Sequence, residues 1–333
     1  MTGPPQPLLR LEHLAVDLPV GGIPRRVLHD VSLTIRPGEA LGLVGESGSG
    51  KSMTSRSVMR LLPYGAHVQG RLEFDGAAIN DMSPRDLRRF RASDVALIHQ
   101  DPRSHINPLR TIGDFLLEAL LERGTSRFEA RARVVDTLRQ VGVGDAERRL
   151  DQHPHQLSGG LLQRVMIAAA LVVDPRLILA DEPTTALDVT TQQEVMAILD
   201  EERSNRGMAM VFITHDLDLA IAVTDRVAVM YAGTIVEEAP SARLYDSARH
   251  PYTRGLLASR PRLDRTERLS VIPGRPISAY EAGSGCVFAA RCPHVTERAR
   301  LERPTSRVVD DHAVACHRAE EPWHAQDVRA VDA

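Results

Sequence analysis

An α/β fold with a parallel sheet is expected from three observations. Gly45, Glu46, Ser47, Gly48, Ser49, Gly50, Lys51 and Ser52 form a full G-x-x-x-x-G-K-S phosphate-binding loop. The apolar run 40–44 precedes it, and a helix-like stretch, 52–62, stopped by Pro63, follows, so strand, loop and helix come in the order the motif needs. Further apolar runs of strand length, at 95–99, 177–180 and 208–213, end in polar residues, as strands delivering side chains to one sheet edge do.

The loop defines a nucleotide triphosphate site. Its glycines let backbone N–H groups turn toward phosphates, the helix N-terminus adds partial positive charge, and the Ser52 hydroxyl is placed to ligate Mg²⁺. Of 41 Lys plus Arg residues, Lys51 is the only lysine. A compact ammonium fits between phosphates where a planar guanidinium does not.

At 333 residues the chain has room for one large domain and a smaller one. A net charge of -3, with no basic stripe, gives no nucleic-acid footprint. The polar, Pro-rich residues 1–7 do not read as a signal peptide. The longest apolar run, 165–173, falls short of the roughly 18 residues of a membrane helix, so a soluble, cytosolic chain is expected. The three cysteines, an odd number, argue against a disulfide framework and pose a thiol or metal question.

Taken in order, residues 8–17, 27–35 and 71–74 alternate apolar and polar, as half-buried antiparallel strands of a small β-layer. The strand at 95–99 ends at Gln100, which can be a sensor but, taken alone, reads as a satisfied surface amide. Residues 111–123 and 128–141 have helical spacing, with Gly124 and Gly142 as stops. A helix at 162–173 follows Ser158, Gly159 and Gly160, whose N-terminus is suited to an anion. Asp181 and Glu182 end the apolar strand 177–180; beside a phosphate loop, Asp181 suits the Mg²⁺ shell and Glu182 the base that polarises attacking water. A helix at 190–203 comes after Asp188, and the strand 208–213 ends near His215, a candidate γ-phosphate contact.

Gly45 to Ser52, Gln100, Leu157 to Gly160, Asp181, Glu182, Asp188 and His215, in this order and spacing, resemble the nucleotide-binding subunit of an ABC transporter. The run 181–188, with Gln163 to Ala168, His250-Pro251-Tyr252-Thr253 and Ile272-Pro273-Gly274, resembles the oligopeptide/dipeptide importer branch, which includes nickel importers. The resemblance implies an α/β P-loop core of the ABC ATPase type over residues 1–245, with an antiparallel β-layer and a helical subdomain over about 104–173. It adds a small C-terminal extension over 246–333. It also implies two such subunits sandwiching two ATP molecules head to tail. Lys51, Ser52, Gln100, Asp181, Glu182 and His215 of one face the Ser158-Gly159-Gly160 helix of the other, with Asp188 near the nucleotide. The implied partners are a second, distinct ATPase subunit, two membrane-spanning permeases and an external binding lipoprotein, at the cytoplasmic face of the membrane.

Four positions depart from the branch: Leu161, His153, the lack of an aromatic before Tyr64, which leaves Leu18, Val20 or Val27 to cover adenine, and Ala299. The branch's four cysteines hold an iron–sulfur cluster; here Cys286, Cys292 and Cys316 remain, and little or no cluster is expected, with zinc or three plain thiols as alternatives. Peptide is the expected cargo and nickel or a metal chelate the alternative. An ATPase acting on DNA or the ribosome would bring coiled coils, zinc-binding cysteine pairs or a second phosphate loop, and a non-hydrolysing scaffold would not need Glu182 and His215.

Overall fold

The computed structural model describes residues 6–184, 187–259 and 271–321. Residues 185 and 186 of the 181–188 run, and residues 1–5, fall outside them. The described residues belong to two compact units, drawn from Met1–Leu8, Ile35–Ala40 and Asp81–Ile213, and from Leu9–Thr34, Leu41–Asn80 and Thr214–Ala333.

In the first unit three parallel strands lie in the order Val95–Ile98, Leu177–Asp181, Ala209–Thr214, with Val95 opposite Leu177 and Leu177 opposite Ala209. Leu177 to Ala180 are all buried, because a parallel sheet covered on both faces demands continuous apolar runs. The helices are set by their caps. Thr111 accepts from the Asp114 N–H at the start of Ile112–Glu122, and Ser126 with Glu129 makes a capping box for Arg127–Gln140. Gly124 and Gly142, at φ 84 and 74, end these helices as their left-handed backbone requires.

Two helices differ from expectation. The helix expected at 162–173 runs Gly159–Leu171, because Ser158 caps it and draws both glycines into the first turn. The helix expected at 190–203 runs Val189–Arg206, capped by Asp188 and stopped only by the left-handed Gly207. Leu162, Val165 and Ile167 are fully buried, each worth about 1.5–3 kcal/mol of removed apolar surface.

The second unit carries an antiparallel layer of Ile23–Ile35, Leu9–Val20, His67–Phe74 and Ala77–Ala78, in that spatial order. Its strands exceed the alternating stretches because Gly21 and Gly22, at φ 60 and 79, close a tight hairpin that extends the first two. Where Leu9–Val20 pairs with His67–Phe74 the register slips between Glu12 and Ala15, and His13 takes φ 50. Gly70 faces that bulge; a Cβ there would lie 2.4 Å from the His13 carbonyl oxygen.

The unit's other sheet has the order Arg307–Val309, His312–Val314, Thr234–Pro240, Arg226–Tyr231, Ala40–Val44. Only the last pair is parallel, with Leu41 opposite Arg226. Of the two short strands of the C-terminal extension, His312–Val314 thus pairs on Thr234–Pro240 and Arg307–Val309 on His312–Val314, which no local pattern announces. The helix after the phosphate loop, expected over 52–62, is Lys51–Val58. It ends before Pro63 because Arg60 turns left-handed at φ 49 and the Leu61 N–H bonds back to the Arg56 carbonyl, closing the last turn.

Candidate functional site

The phosphate loop follows the wholly buried strand Ala40–Val44. Gly50, at φ 109 and ψ 0, is the residue before helix Lys51–Val58, and a Cβ there would lie 2.7 Å from Leu28 Cδ2. At Gly45 a Cβ would come within 2.1 Å of the Met230 carbonyl oxygen, so the loop can cross strand Arg226–Tyr231 only without a side chain. Lys51, 5 % exposed, donates from Nζ to the Gly45 carbonyl at 2.7 Å and the Glu46 carbonyl at 3.1 Å. Ser49 Oγ is buried without a hydrogen-bond partner, while the Ser49 carbonyl accepts from the Gly233 N–H at 2.7 Å. An ammonium, an unsatisfied hydroxyl and a helix N-terminus gathered at one loop are the chemistry of a phosphate cradle. In the same unit His215 is exposed just beyond strand Ala209–Thr214, and Asp216 caps the next helix, Leu217–Val223. Of the residues expected to cover adenine, Val20 is 46 % exposed on the antiparallel layer, with Leu18 and Val27 half-buried.

Within the first unit the structure brings Gln100 and Glu182 together. Gln100 Nε2 donates to Glu182 Oε2 at 3.0 Å, which turns the amide oxygen, the better cation ligand, to the other side. Asp181 is the last residue of its strand, and Glu182 takes φ 48, a left-handed backbone that costs a non-glycine residue about 1 kcal/mol. The Glu182 N–H donates to the Ile213 carbonyl at 2.9 Å, so the neighbouring strand fixes this turn. Asp188 accepts from the Thr191 N–H at 3.0 Å and the Thr191 hydroxyl at 2.8 Å, and these two donors hold its carboxyl below the ordinary value. Its role inside this chain is that of a helix cap. At the start of Gly159–Leu171, Ser158 Oγ accepts from the Leu161 N–H at 3.4 Å; a Cβ at Gly160 would meet Thr191 Cγ2 at 3.1 Å, and one at Gly159 would meet nothing within 4 Å.

The tail cysteines converge. Cys286, Cys292 and Cys316 line one pocket together with Ala299, His294 and His317. Burial pushes all three thiols up, Cys292 to about 11. His317 Nε2 is engaged with the Glu302 carbonyl at 3.0 Å, Ala299 supplies no ligand, and among the described residues no group of three or more His, Cys, Asp or Glu is arranged to hold a metal ion. With Ala299 at the fourth position, the converging cysteines are one ligand short of the four that hold an iron–sulfur cluster.

Two residues beyond the reach of sequence spacing touch the phosphate loop. The Glu46 N–H donates to the Tyr252 hydroxyl at 3.1 Å, and Arg291 donates to the Glu46 carboxylate at 2.7 and 3.3 Å. The sequence signal for Tyr252 was its place in the run 250–253; Arg291 gave none.

A phosphate loop that follows a buried strand, with a carboxylate pair at the end of a second parallel strand and an amide bonded to it, defines an ABC-type ATPase cassette. Residues 28–185 match the family "ABC transporter", and residues 236–298 match "Oligopeptide/dipeptide transporter, C-terminal region". The chain is 40 % identical over 314 residues to the dipeptide transport ATP-binding protein DppD of Escherichia coli (strain K12), covering 93 % of this chain and 96 % of that protein. It is 41 % identical to the oligopeptide transport ATP-binding protein OppD of Mycobacterium bovis, covering 94 % of this chain and 52 % of that protein. Among solved structures, the ATP-binding cassette MJ0796, a dimer in a post-hydrolysis state bound to ADP and Pi, superposes with a TM-score of 0.63 at 29 % identity, over 70 % of this chain and 98 % of that one. The structure of cbiO1 from Clostridium perfringens superposes with a TM-score of 0.62 at 27 % identity, over 72 % of this chain and 90 % of that one. The chain belongs to the ABC transporter ATP-binding proteins of the oligopeptide/dipeptide family. Among the described residues no helix is long and apolar enough to cross a membrane.

Proposed function

We propose that this chain hydrolyses ATP to energise peptide import, residues 1–245 forming the ATPase part and 246–333 the transporter-specific extension. Lys51 and the loop N–H groups of residues 45–52 hold the β- and γ-phosphates. Glu182 takes the proton of the attacking water, His215 contacts the γ-phosphate, and the reaction is in-line displacement stabilised by positioned charge. The Ser52 hydroxyl, the Gln100 amide oxygen and the Asp181 carboxylate are the hard oxygen donors Mg²⁺ prefers, and they would hold it. When bound, Mg²⁺ neutralises charge on the phosphate oxygens.

The observation that carries hydrolysis, rather than binding alone, is the Gln100–Glu182 hydrogen bond: the proposed base is already oriented by the residue at the end of the neighbouring strand. Peptide cargo rests on the match of residues 236–298 and on the DppD and OppD likeness. The Ser158-Gly159-Gly160 helix start serves the nucleotide of a second, similar subunit, which the dimeric state of MJ0796 supports. Two permeases, an external binding lipoprotein and a place at the cytoplasmic face of the membrane complete the assembly.

Glu182→Gln in the assembled transporter tests the assignment. ATP binding should persist while hydrolysis falls by about two to four decades, the scale of a lost general base. Hydrolysis at the native rate would remove Glu182 from that role.

A further inference from the structure

We propose that Arg291 of the C-terminal extension is a positioning residue for the phosphate loop: it neutralises Glu46 and, with Tyr252, fixes the loop's outer side, so that ATP affinity depends on the tail. This rests on the ATP reading above. Arg291 has a side chain only 5 % exposed and spends its guanidinium fully. Nη1 donates to Glu46 Oε2 at 2.7 Å and Nη2 to Glu46 Oε1 at 3.3 Å, a bidentate fork on the second residue of the loop. Nε donates to the Pro273 carbonyl at 2.9 Å, and Nη1 reaches the Tyr231 hydroxyl at 3.4 Å.

The guanidinium cannot drift, because aromatic rings wall it in. Its Cζ lies 5.7 Å from the Tyr231 ring centre and 5.9 Å from that of Phe288, and Tyr231, Tyr252 and Phe288 pack on one another at 4.7–5.4 Å. Tyr231 ends the strand whose Met230 carbonyl the loop crosses at Gly45, so the cage is built on the loop's own floor.

Two consequences follow for a triphosphate. Lys51 Nζ is bonded to the Glu46 carbonyl, so any shift of Glu46 moves the acceptor that places the ammonium. A carboxylate on the loop, left unpaired, repels the anion the loop must bind; the fork removes that repulsion. The residue that supplies this fork lies 245 positions along the chain.

The test is calorimetric titration of ATP with Mg²⁺ into the full chain. Arg291→Met should weaken binding about tenfold, and adding Glu46→Gln should return affinity to within about threefold of native, since the unpaired charge is gone. Arg291→Lys keeps the charge but not the fork, should fold in any case, and should bind about threefold more weakly. In the assembled transporter the loss should appear in KM for ATP more than in kcat. Native affinity in Arg291→Lys, or a double variant no better than Arg291→Met, overturns the proposal. A native chain that takes up no ATP, or a Lys51→Ala chain that binds as well as native, would instead overturn the ATP reading and this proposal with it.

Discussion

The phosphate loop and the start of helix Gly159–Leu171 both lead into a helix through glycines, but those glycines answer to different demands. Gly45 and Gly50 have reasons inside the chain: a Cβ at either would stand 2.1 or 2.7 Å from its neighbour, and Gly50 needs φ 109. Gly159 has neither, since its φ is ordinary and a Cβ would meet open space. Glycine there costs the helix up to about 1 kcal/mol relative to alanine, with no return from the described residues. The glycines of the phosphate loop are thus demanded by its own fold, and Gly159 is the one that the proposed second subunit would have to account for.

The largest expected effect lies at the phosphate loop. Lys51→Arg should lower turnover of the assembled transporter by about two decades or more, because a planar fork cannot occupy the buried place between the Gly45 and Glu46 carbonyls and still meet phosphate. Native-like kinetics would show that the loop tolerates a wider cation and is less tightly built than its contacts indicate.

A paired alanine substitution separates the phosphate loop from the Gly159 helix start directly. Gly50→Ala should weaken ATP binding by the isolated chain about tenfold or more, through backbone strain and the Leu28 contact. Gly159→Ala should leave that binding unchanged and raise the melting temperature by up to a few degrees, yet lower turnover of the assembled transporter about tenfold by displacing a neighbour's nucleotide. Equal loss of monomer binding in both variants would erase the distinction.

The smallest effect is a pH dependence confined to the loop's side. His250 is buried and accepts the Tyr252 N–H at Nδ1, and burial pulls its pKa down to about 4. A neutral imidazole in the fold and an ordinary one in the unfolded chain mean that the unfolded state binds more protons between about pH 6.5 and 4. Stability is therefore full above that window and declines as pH falls through it. Thermal midpoints followed from pH 7 to 5 should fall, and less steeply in His250→Asn. An identical slope in that variant would assign the acid sensitivity elsewhere.

Much of this was legible beforehand. Strand Ala40–Val44, the loop, Asp181 and Glu182 came from apolar run length and motif spacing, Gln100 only from the resemblance, and the structure bonds Gln100 to Glu182. Helix ends were less legible. Arg60 at φ 49 closes the first helix before Pro63, and the Ser158 cap starts its helix at Gly159 rather than the expected 162, because caps depend on backbone angles that residue identity constrains weakly. Asp188 was read through the resemblance as a nucleotide neighbour, and its bonds within this chain are those of a cap.

By itself the sequence determined the phosphate loop, its flanking strand and helix, the carboxylate pair and the order in which they come. These follow from local chemistry: glycine's access to positive φ, the apolar demand of a buried strand, and the preference of phosphate for an ammonium and backbone N–H groups. Tertiary structure alone decided that the tail strand His312–Val314 pairs on Thr234–Pro240, that three cysteines meet around Ala299, and that Arg291 grips Glu46. Such contacts depend on strand register and on where a distant loop crosses the sheet, and no residue pattern within a few positions encodes the meeting of two side chains 245 apart.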